Sequence, residues 1–138
     1  MTIDDARLIE LPRFNDQRGN LSFVEQHNQV PFKFERVYWI YDVPGGENRS
    51  GHAYHTTEEL IIAISGSLDV IVDDGTNKRT FTLNRSYYGL YIPKGLWRTL
   101  TNFSTNSLAL EIASTPYNRA DYVEDYGTYK RMKQHGEI

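Results

Sequence analysis

His52, Tyr54, His55, Glu58, Glu59 and Arg98 are the side chains whose types and spacing can carry chemistry. All but Arg98 fall between Gly46 and Gly66. Arg98 follows a second glycine-bounded stretch, Gly89-Leu90-Tyr91-Ile92-Pro93-Lys94-Gly95-Leu96-Trp97. On extended backbone the side chains alternate, so His52 and Tyr54 share one face and His55 takes the other. A neutral imidazole, with a reference pKa of about 6.5, takes or returns a proton at cellular pH. A phenol, with a reference pKa of about 10, donates a proton or hydrogen-bonds a developing oxyanion. A guanidinium holds phosphate or stabilises an enediolate, but its permanent charge forbids cation ligation. A metal site needs three or four ligands. His52 and a Glu are available, Tyr54 is an uncommon ligand and Arg98 repels the ion. The expectation is acid–base chemistry with no metal and no cofactor. A distorted strand that turned His55 inward is the route to a metal centre, and a hydrogen-bonded core histidine is the bland alternative for His52.

Further cations sit where strand ends and turns would form a cavity mouth: Arg18, Arg36 and Arg49. Each is a candidate for holding a phosphate or stabilising an enediolate, with a solvated surface charge as the plain alternative. Tyr38, Tyr41, Tyr87, Tyr88 and Tyr91 offer flat faces for a nucleobase, and they are also ordinary sheet residues.

Side chains spread this widely need a rigid scaffold to meet. A chain of 138 residues is long enough for one domain with a real core. The net charge of −3 gives no electrostatic footprint for nucleic acid. The absence of cysteine excludes disulfides and thiolate metal sites. The acidic start, Met1-Thr2-Ile3-Asp4-Asp5, is unlike a signal peptide, and no apolar run approaches the roughly 20 residues of a membrane span. A cytoplasmic protein is expected. The Asn-x-Ser/Thr sequons at Asn48, Asn84 and Asn102 are then read as chance.

Short β-prone runs alternate with turn signals. Strands are expected at Leu8 to Leu11, Asn20 to Glu25, Arg36 to Val43, Glu59 to Ser65 and Leu68 to Asp73. More are expected at Arg79 to Leu83, Tyr87 to Ile92, Leu96 to Thr101 and Ser107 to Ala113. Many short strands at regular spacing predict an all-β sandwich or barrel. Leu68, Val70 and Val72 alternate with Asp69, Ile71 and Asp73, as in a half-buried strand. Leu60 to Ile64 is apolar on both sides and should run centrally, covered on both faces. Asp74-Gly75 marks a tight hairpin. Beyond Asn118 the alternation stops, and one or two short helices packed on the outside are expected.

The glycine-bounded stretches resemble the two motifs of the cupin superfamily, with Tyr54 at the second His position and Arg98 at the last metal-ligating one. From about residue 7 to 130 the chain further resembles the nucleotide-sugar 3,4-ketoisomerases. The matching stretches are Asp16-Gln17-Arg18-Gly19, Phe34 to Asp42, Arg49-Ser50-Gly51-His52-Ala53, Ser65-Gly66-Ser67, Asp73-Asp74-Gly75, Gly89-Leu90-Tyr91 and Asp121-Tyr122-Val123. The resemblance implies an RmlC-like cupin jelly-roll barrel with short C-terminal helices, formed by residues 1–138 as a single domain. It implies a metal-independent isomerase that converts dTDP-4-keto-6-deoxyglucose to a 3-keto isomer through an enediol. Such sugars become 3-amino-3,6-dideoxyhexoses, as in lipopolysaccharide O-antigen. Family members carry His-x-His and favour the second His as base; here Tyr54 takes that place. His52 is then the expected proton carrier with Tyr54 as its partner. Arg18, Arg36, Tyr38, Arg49, Ser67 and Arg98 are the expected substrate-binding residues. Arg18 and Arg98 match positions that vary with the C4 epimer formed. Partners are expected to be the dTDP-linked keto-sugar and a second copy in a homodimer with exchanged N-terminal strands, with no nucleic acid and no membrane. The alternatives are a 3,5-epimerase-type enzyme and a non-catalytic nucleotide-sugar-binding cupin.

Overall fold

The computed structural model describes the backbone of residues 1–138 and every side chain except that of Ser50. Twelve strands and one helix run in this order: β1 (Arg7–Glu10), β2 (Arg13–Asp16), β3 (Gly19–Ser22), β4 (Arg36–Tyr41), β5 (Arg49–Tyr54), β6 (Glu59–Ser65), β7 (Leu68–Asp73), β8 (Lys78–Leu83), β9 (Tyr88–Ile92), β10 (Trp97–Thr101), β11 (Leu108–Ala113), β12 (Tyr122–Val123) and α1 (Tyr126–Gln134). Two five-stranded antiparallel sheets form, ordered β1-β9-β6-β11-β4 and β12-β5-β10-β7-β8. They face each other as a sandwich and are not closed by hydrogen bonds into the barrel the sequence suggested. The hairpin β2-β3 stands apart as a third, two-stranded sheet.

The alternation read from sequence sets the layers. Leu68, Val70 and Val72 point between the sheets and meet Ile61, Leu90, Ile92, Leu100 and Ala109 there. Across β6 the parity reverses: Leu60 and Ile62 face outward and are covered by Leu11, Val30 and Phe32 from the N-terminal segment. β6 is thus central and doubly covered, as expected, but only as far as Ala63. Ile64 is exposed, because the N-terminal segment does not extend over the end of the strand. The turn after β7 has the expected Asp-Gly form, with Gly75 at φ +88°. Asp74 accepts backbone N–H bonds from Thr76 and Asn77 at 2.9 and 2.7 Å.

Three strands escaped the sequence reading: β2, β5 and β12. β12 is two residues long, too short for periodicity to register. β5 contains Gly51 and polar residues, which mask its strand character, although its extended form was assumed for His52 and Tyr54. The tail holds a 3-10 turn at Arg119–Asp121 and then α1, capped by Asp125, whose carboxylate accepts from the Thr128 amide at 2.8 Å. Tyr129 fastens α1 to the outer face of the second sheet, donating to the Gly95 carbonyl at 2.8 Å and packing on Trp97.

Candidate active site

The inner faces are not apolar throughout. At the end formed by the edge strands β4 and β12 and by β5 beside β12, cross-strand register assembles polar rows. In the first sheet, Arg36 faces Ala113, which faces Glu59; one row along, Tyr38 faces Glu111, which faces Ile61. In the second, Tyr122 faces Tyr54, and His52 faces Arg98. A cavity of about 500 Å³ lies between these rows, lined among others by Tyr38, Arg49, His52, Glu111 and Tyr122.

Beneath the cavity lies an ion pair between Arg98 and Glu59, whose side chains are 1 % and 0 % exposed. The Arg98 guanidinium also sits 4.7 Å from the centre of the Tyr54 ring. The Tyr38 hydroxyl donates to Glu59 at 3.3 Å and lies 3.4 Å from the Tyr54 hydroxyl. Tyr54 donates to Tyr122 at 3.2 Å, and Arg36 Nη1 reaches the same Tyr122 oxygen at 3.5 Å. A chain of phenols therefore links the buried ion pair to the cavity wall. The rings of His52, Tyr54 and Tyr122 cluster, with centroids 4.8 Å, 5.1 Å and 4.7 Å apart.

Burial decides the protonation of the phenols. Tyr54 is pushed up to about 12 by burial, against the opposing pull of the Arg98 charge. Tyr38 is pushed up further, by burial and by the neighbouring Glu111 carboxyl. In both, burial favours the protonated phenol. Glu111 is also raised: burial favours its neutral acid more strongly than Arg98, the Tyr38 hydrogen bond, Arg36 and Arg49 favour the carboxylate.

β12 is placed by Asp121. Its carboxylate accepts from the Thr56 amide and hydroxyl, both at 2.8 Å, and from the Thr57 amide and hydroxyl. Burial alone would raise this carboxyl, but the bonds from Thr57 and Thr56 prevail and hold it below the usual range. The loop after β5 is thereby tied to the start of β12, which carries Tyr122 into register with Tyr54.

Of the residues expected from sequence, His52, Tyr38 and Arg49 line the cavity. Tyr54 and Arg98 lie behind its surface, buried, and Arg36 reaches it through Tyr122. Arg18 stands elsewhere, on the exposed β2-β3 hairpin, paired with Asp16 at 2.8 Å. Ser67 also stands apart. It turns between β6 and β7, donating its amide to Ser104 Oγ at 2.8 Å. Of the two carboxylates considered, Glu59 points inward and Glu58 accepts from Tyr91 on the other side. His55 keeps to the opposite face from His52, in a surface depression with Arg119 and Thr128. Among the described residues no three His, Asp or Glu side chains come together as a metal site. Glu111 and Tyr122 were missed as site residues. A lone Glu inside the apolar run Leu108 to Ala113 was the available signal for the first. Only the matched Asp121-Tyr122-Val123 stretch pointed to the second.

The fold is that of the RmlC-like cupin isomerases, with a polar cavity between its two sheets. The chain belongs to the FdtA family (WxcM-like, C-terminal), whose model matches residues 4–134. It is 33% identical over 127 residues to TDP-4-oxo-6-deoxy-alpha-D-glucose-3,4-oxoisomerase of Aneurinibacillus thermoaerophilus, covering 92% of this chain and 91% of that one. The structure is similar to the WlaRB TDP-quinovose 3,4-ketoisomerase of Campylobacter jejuni, with 38% identity, a TM-score of 0.88 and coverage of 92% and 98% of the two chains. It also matches a histidine-to-asparagine mutant of the 3,4-ketoisomerase QdtA of Thermoanaerobacterium thermosaccharolyticum in complex with TDP-4-keto-6-deoxyglucose. There the identity is 26%, the TM-score 0.91, and 94% of each chain is covered.

Proposed function

We propose that this protein is a metal-independent 3,4-ketoisomerase of TDP-4-keto-6-deoxyglucose, forming a TDP-3-keto-6-deoxyhexose for 3-amino-sugar synthesis, with O-antigen as a destination. The observation that carries the reading is His52. It is the imidazole on the cavity wall of a chain whose relatives are TDP-sugar ketoisomerases. The C3 hydrogen is acidified by the C4 ketone. His52 removes it, an enediol forms, and the proton returns at C4. Arg49 and Arg36 supply positive charge for the diphosphate and for the oxygens that gain negative charge. Tyr38 closes the wall. Arg98 matches the last metal-ligating position of the cupin motif, and a guanidinium cannot ligate a cation, which favours chemistry carried by hydrogen bonds and proton carriers.

The working form is a cytoplasmic homodimer. The β2-β3 hairpin pairs with neither sheet of its own chain and leaves Phe14 and Leu21 exposed. The edge strand β4 leaves Val37, Trp39 and Tyr41 exposed on its outer face. Exchange of the hairpin between two copies would cover both surfaces and carry Arg18 toward the partner.

The test is turnover of TDP-4-keto-6-deoxyglucose followed by NMR in deuterated water. The expected product is the 3-keto isomer; exchange at C5 would instead favour 3,5-epimerisation. TDP binding without exchange at C3 would leave only a binding protein. His52→Asn is expected to lower kcat by about 10²–10⁴-fold while TDP affinity holds. An unchanged kcat would remove His52 from the mechanism.

A further inference from the structure

Alternation gives each site residue of the second sheet a chain neighbour on the opposite surface. Ala53 follows His52, Trp97 precedes Arg98, and Val123 follows Tyr122. Ala53, Trp97 and Val123 form one buried cluster with Tyr129 of α1. The helix therefore lies behind the three strands that carry the second sheet's share of the site.

Tyr129 is buried, and its hydroxyl engages backbone rather than solvent. It donates to the Gly95 carbonyl at 2.8 Å and stands 3.2 Å from the Asp73 carbonyl. Gly95 sits in the turn before β10, at φ +82°. Its amide donates to the Tyr54 carbonyl at 2.9 Å, and the Tyr54 ring lies 4.8 Å from that of His52. A second path runs through side chains. The Tyr129 ring packs on Trp97 at 5.6 Å, and the indole covers Gly51 so closely that a Cβ there would meet it. Gly51 immediately precedes His52. One buried phenol thus bears on the backbone on both sides of the imidazole.

We infer that Tyr129 is a positioning residue for the isomerisation. From behind the sheet it fixes β5 against β10 and so sets the aim of His52 into the cavity. This rests on the ketoisomerase reading. Tyr129 itself touches no substrate, because the sheet stands between it and the cavity. Without its hydroxyl the Gly95 carbonyl loses that donor and the turn before β10 relaxes. The shift reaches His52 through the Tyr54 backbone and ring. Misplacing a reacting group by about 1 Å costs up to about 100-fold in rate, even from a distant change. Arg36 stands on the other sheet and Arg49 at the opposite end of β5 from Tyr54, so TDP affinity is spared.

The experiment is Tyr129→Phe, which keeps the ring and removes only the hydroxyl. The wild type is assayed first for conversion of TDP-4-keto-6-deoxyglucose; if it forms no 3-keto sugar, the ketoisomerase reading itself fails. If it does, the variant, assayed well below its unfolding midpoint, is expected to lose about tenfold or more in kcat, with KM and TDP affinity within about threefold. A kcat within about threefold of wild type overturns the assignment, whatever happens to stability. A parallel rise in KM and loss of TDP affinity also overturns it, since that marks a cavity loosened as a whole. The second readout is the imidazole NMR signal of His52, identified by its loss in His52→Asn. It should move in Tyr129→Phe without substrate, while that of His27, between β3 and β4, stays in place; an unmoved His52 signal overturns the assignment. Should Tyr129→Phe not fold, Trp97→Phe tests the side-chain path by uncovering Gly51. Its kcat should fall about tenfold with KM held; an unchanged kcat overturns the assignment.

Discussion

Arg98→Met is the sharpest test of how the cavity is held in shape. Arg98 and Glu59 are 1 % and 0 % exposed, so neither has solvent to fall back on. Removing the guanidinium leaves Glu59, among the described residues, with the Tyr38 hydrogen bond alone. Breaking a buried pair from one side costs about 3–5 kcal/mol. At roughly 3–4 °C per kcal/mol for a chain of this size, the midpoint of thermal unfolding should fall by about 10–20 °C. Replacing both partners, as in Arg98→Met with Glu59→Met, removes the stranded charge and should recover more than half of the loss. The assay is urea unfolding of the wild type, both single variants and the double variant at neutral pH, with the slope checked for constancy. A coupling energy of about 2 kcal/mol or more is expected. If Arg98→Met unfolds within about 1 kcal/mol of wild type, the ion pair does not support the cavity floor. TDP affinity is a second readout: the double variant should bind TDP within about threefold of wild type, because Arg98 lies behind the cavity surface rather than on it.

Three further outcomes are expected. Glu111 has its folded pKa raised, chiefly by burial. The stability it allows is therefore complete below the unfolded carboxylate value of about 4.3 and is lost as pH rises toward and through the folded one, at about 1.4 kcal/mol per pH unit. Glu111→Gln should flatten that decline, being near-neutral at pH 4 and stabilising at pH 7; the same pH dependence in both proteins would count against a buried neutral acid. Gly51→Ala should destabilise by about 1–3 kcal/mol, because the new methyl would sit 2.7 Å from indole Cζ2 of Trp97 and push β5 out of place; its kcat should fall as well, and a variant with wild-type stability and turnover would show that β5 has slack. Extended treatment with a chelator should leave turnover unchanged, whereas inactivation reversed by a divalent ion would overturn the metal-free mechanism.

Much of the frame was legible beforehand because alternation is a local property. Leu68, Val70 and Val72 announce which face of β7 is buried, and Asp74-Gly75 announces the turn that follows. That Tyr54 and Arg98 stand at ligand positions came only from the resemblance to the cupin motifs. What alternation does not report is which strand lies alongside. Glu59, Arg98 and Glu111 come from β6, β10 and β11, and only the facing of two sheets and their register bring them under one cavity. Tyr122 belongs to a two-residue strand that exists because Asp121 ties it to Thr56 and Thr57, some 65 residues earlier in the chain. The surroundings of Tyr54 and Tyr122 diverge for the same reason. Both are phenols in sequence, but burial removes one from the cavity and hydrogen bonding turns the other toward it. Residue type and parity are written in the chain; desolvation and donor–acceptor pairing arise only when distant strands meet.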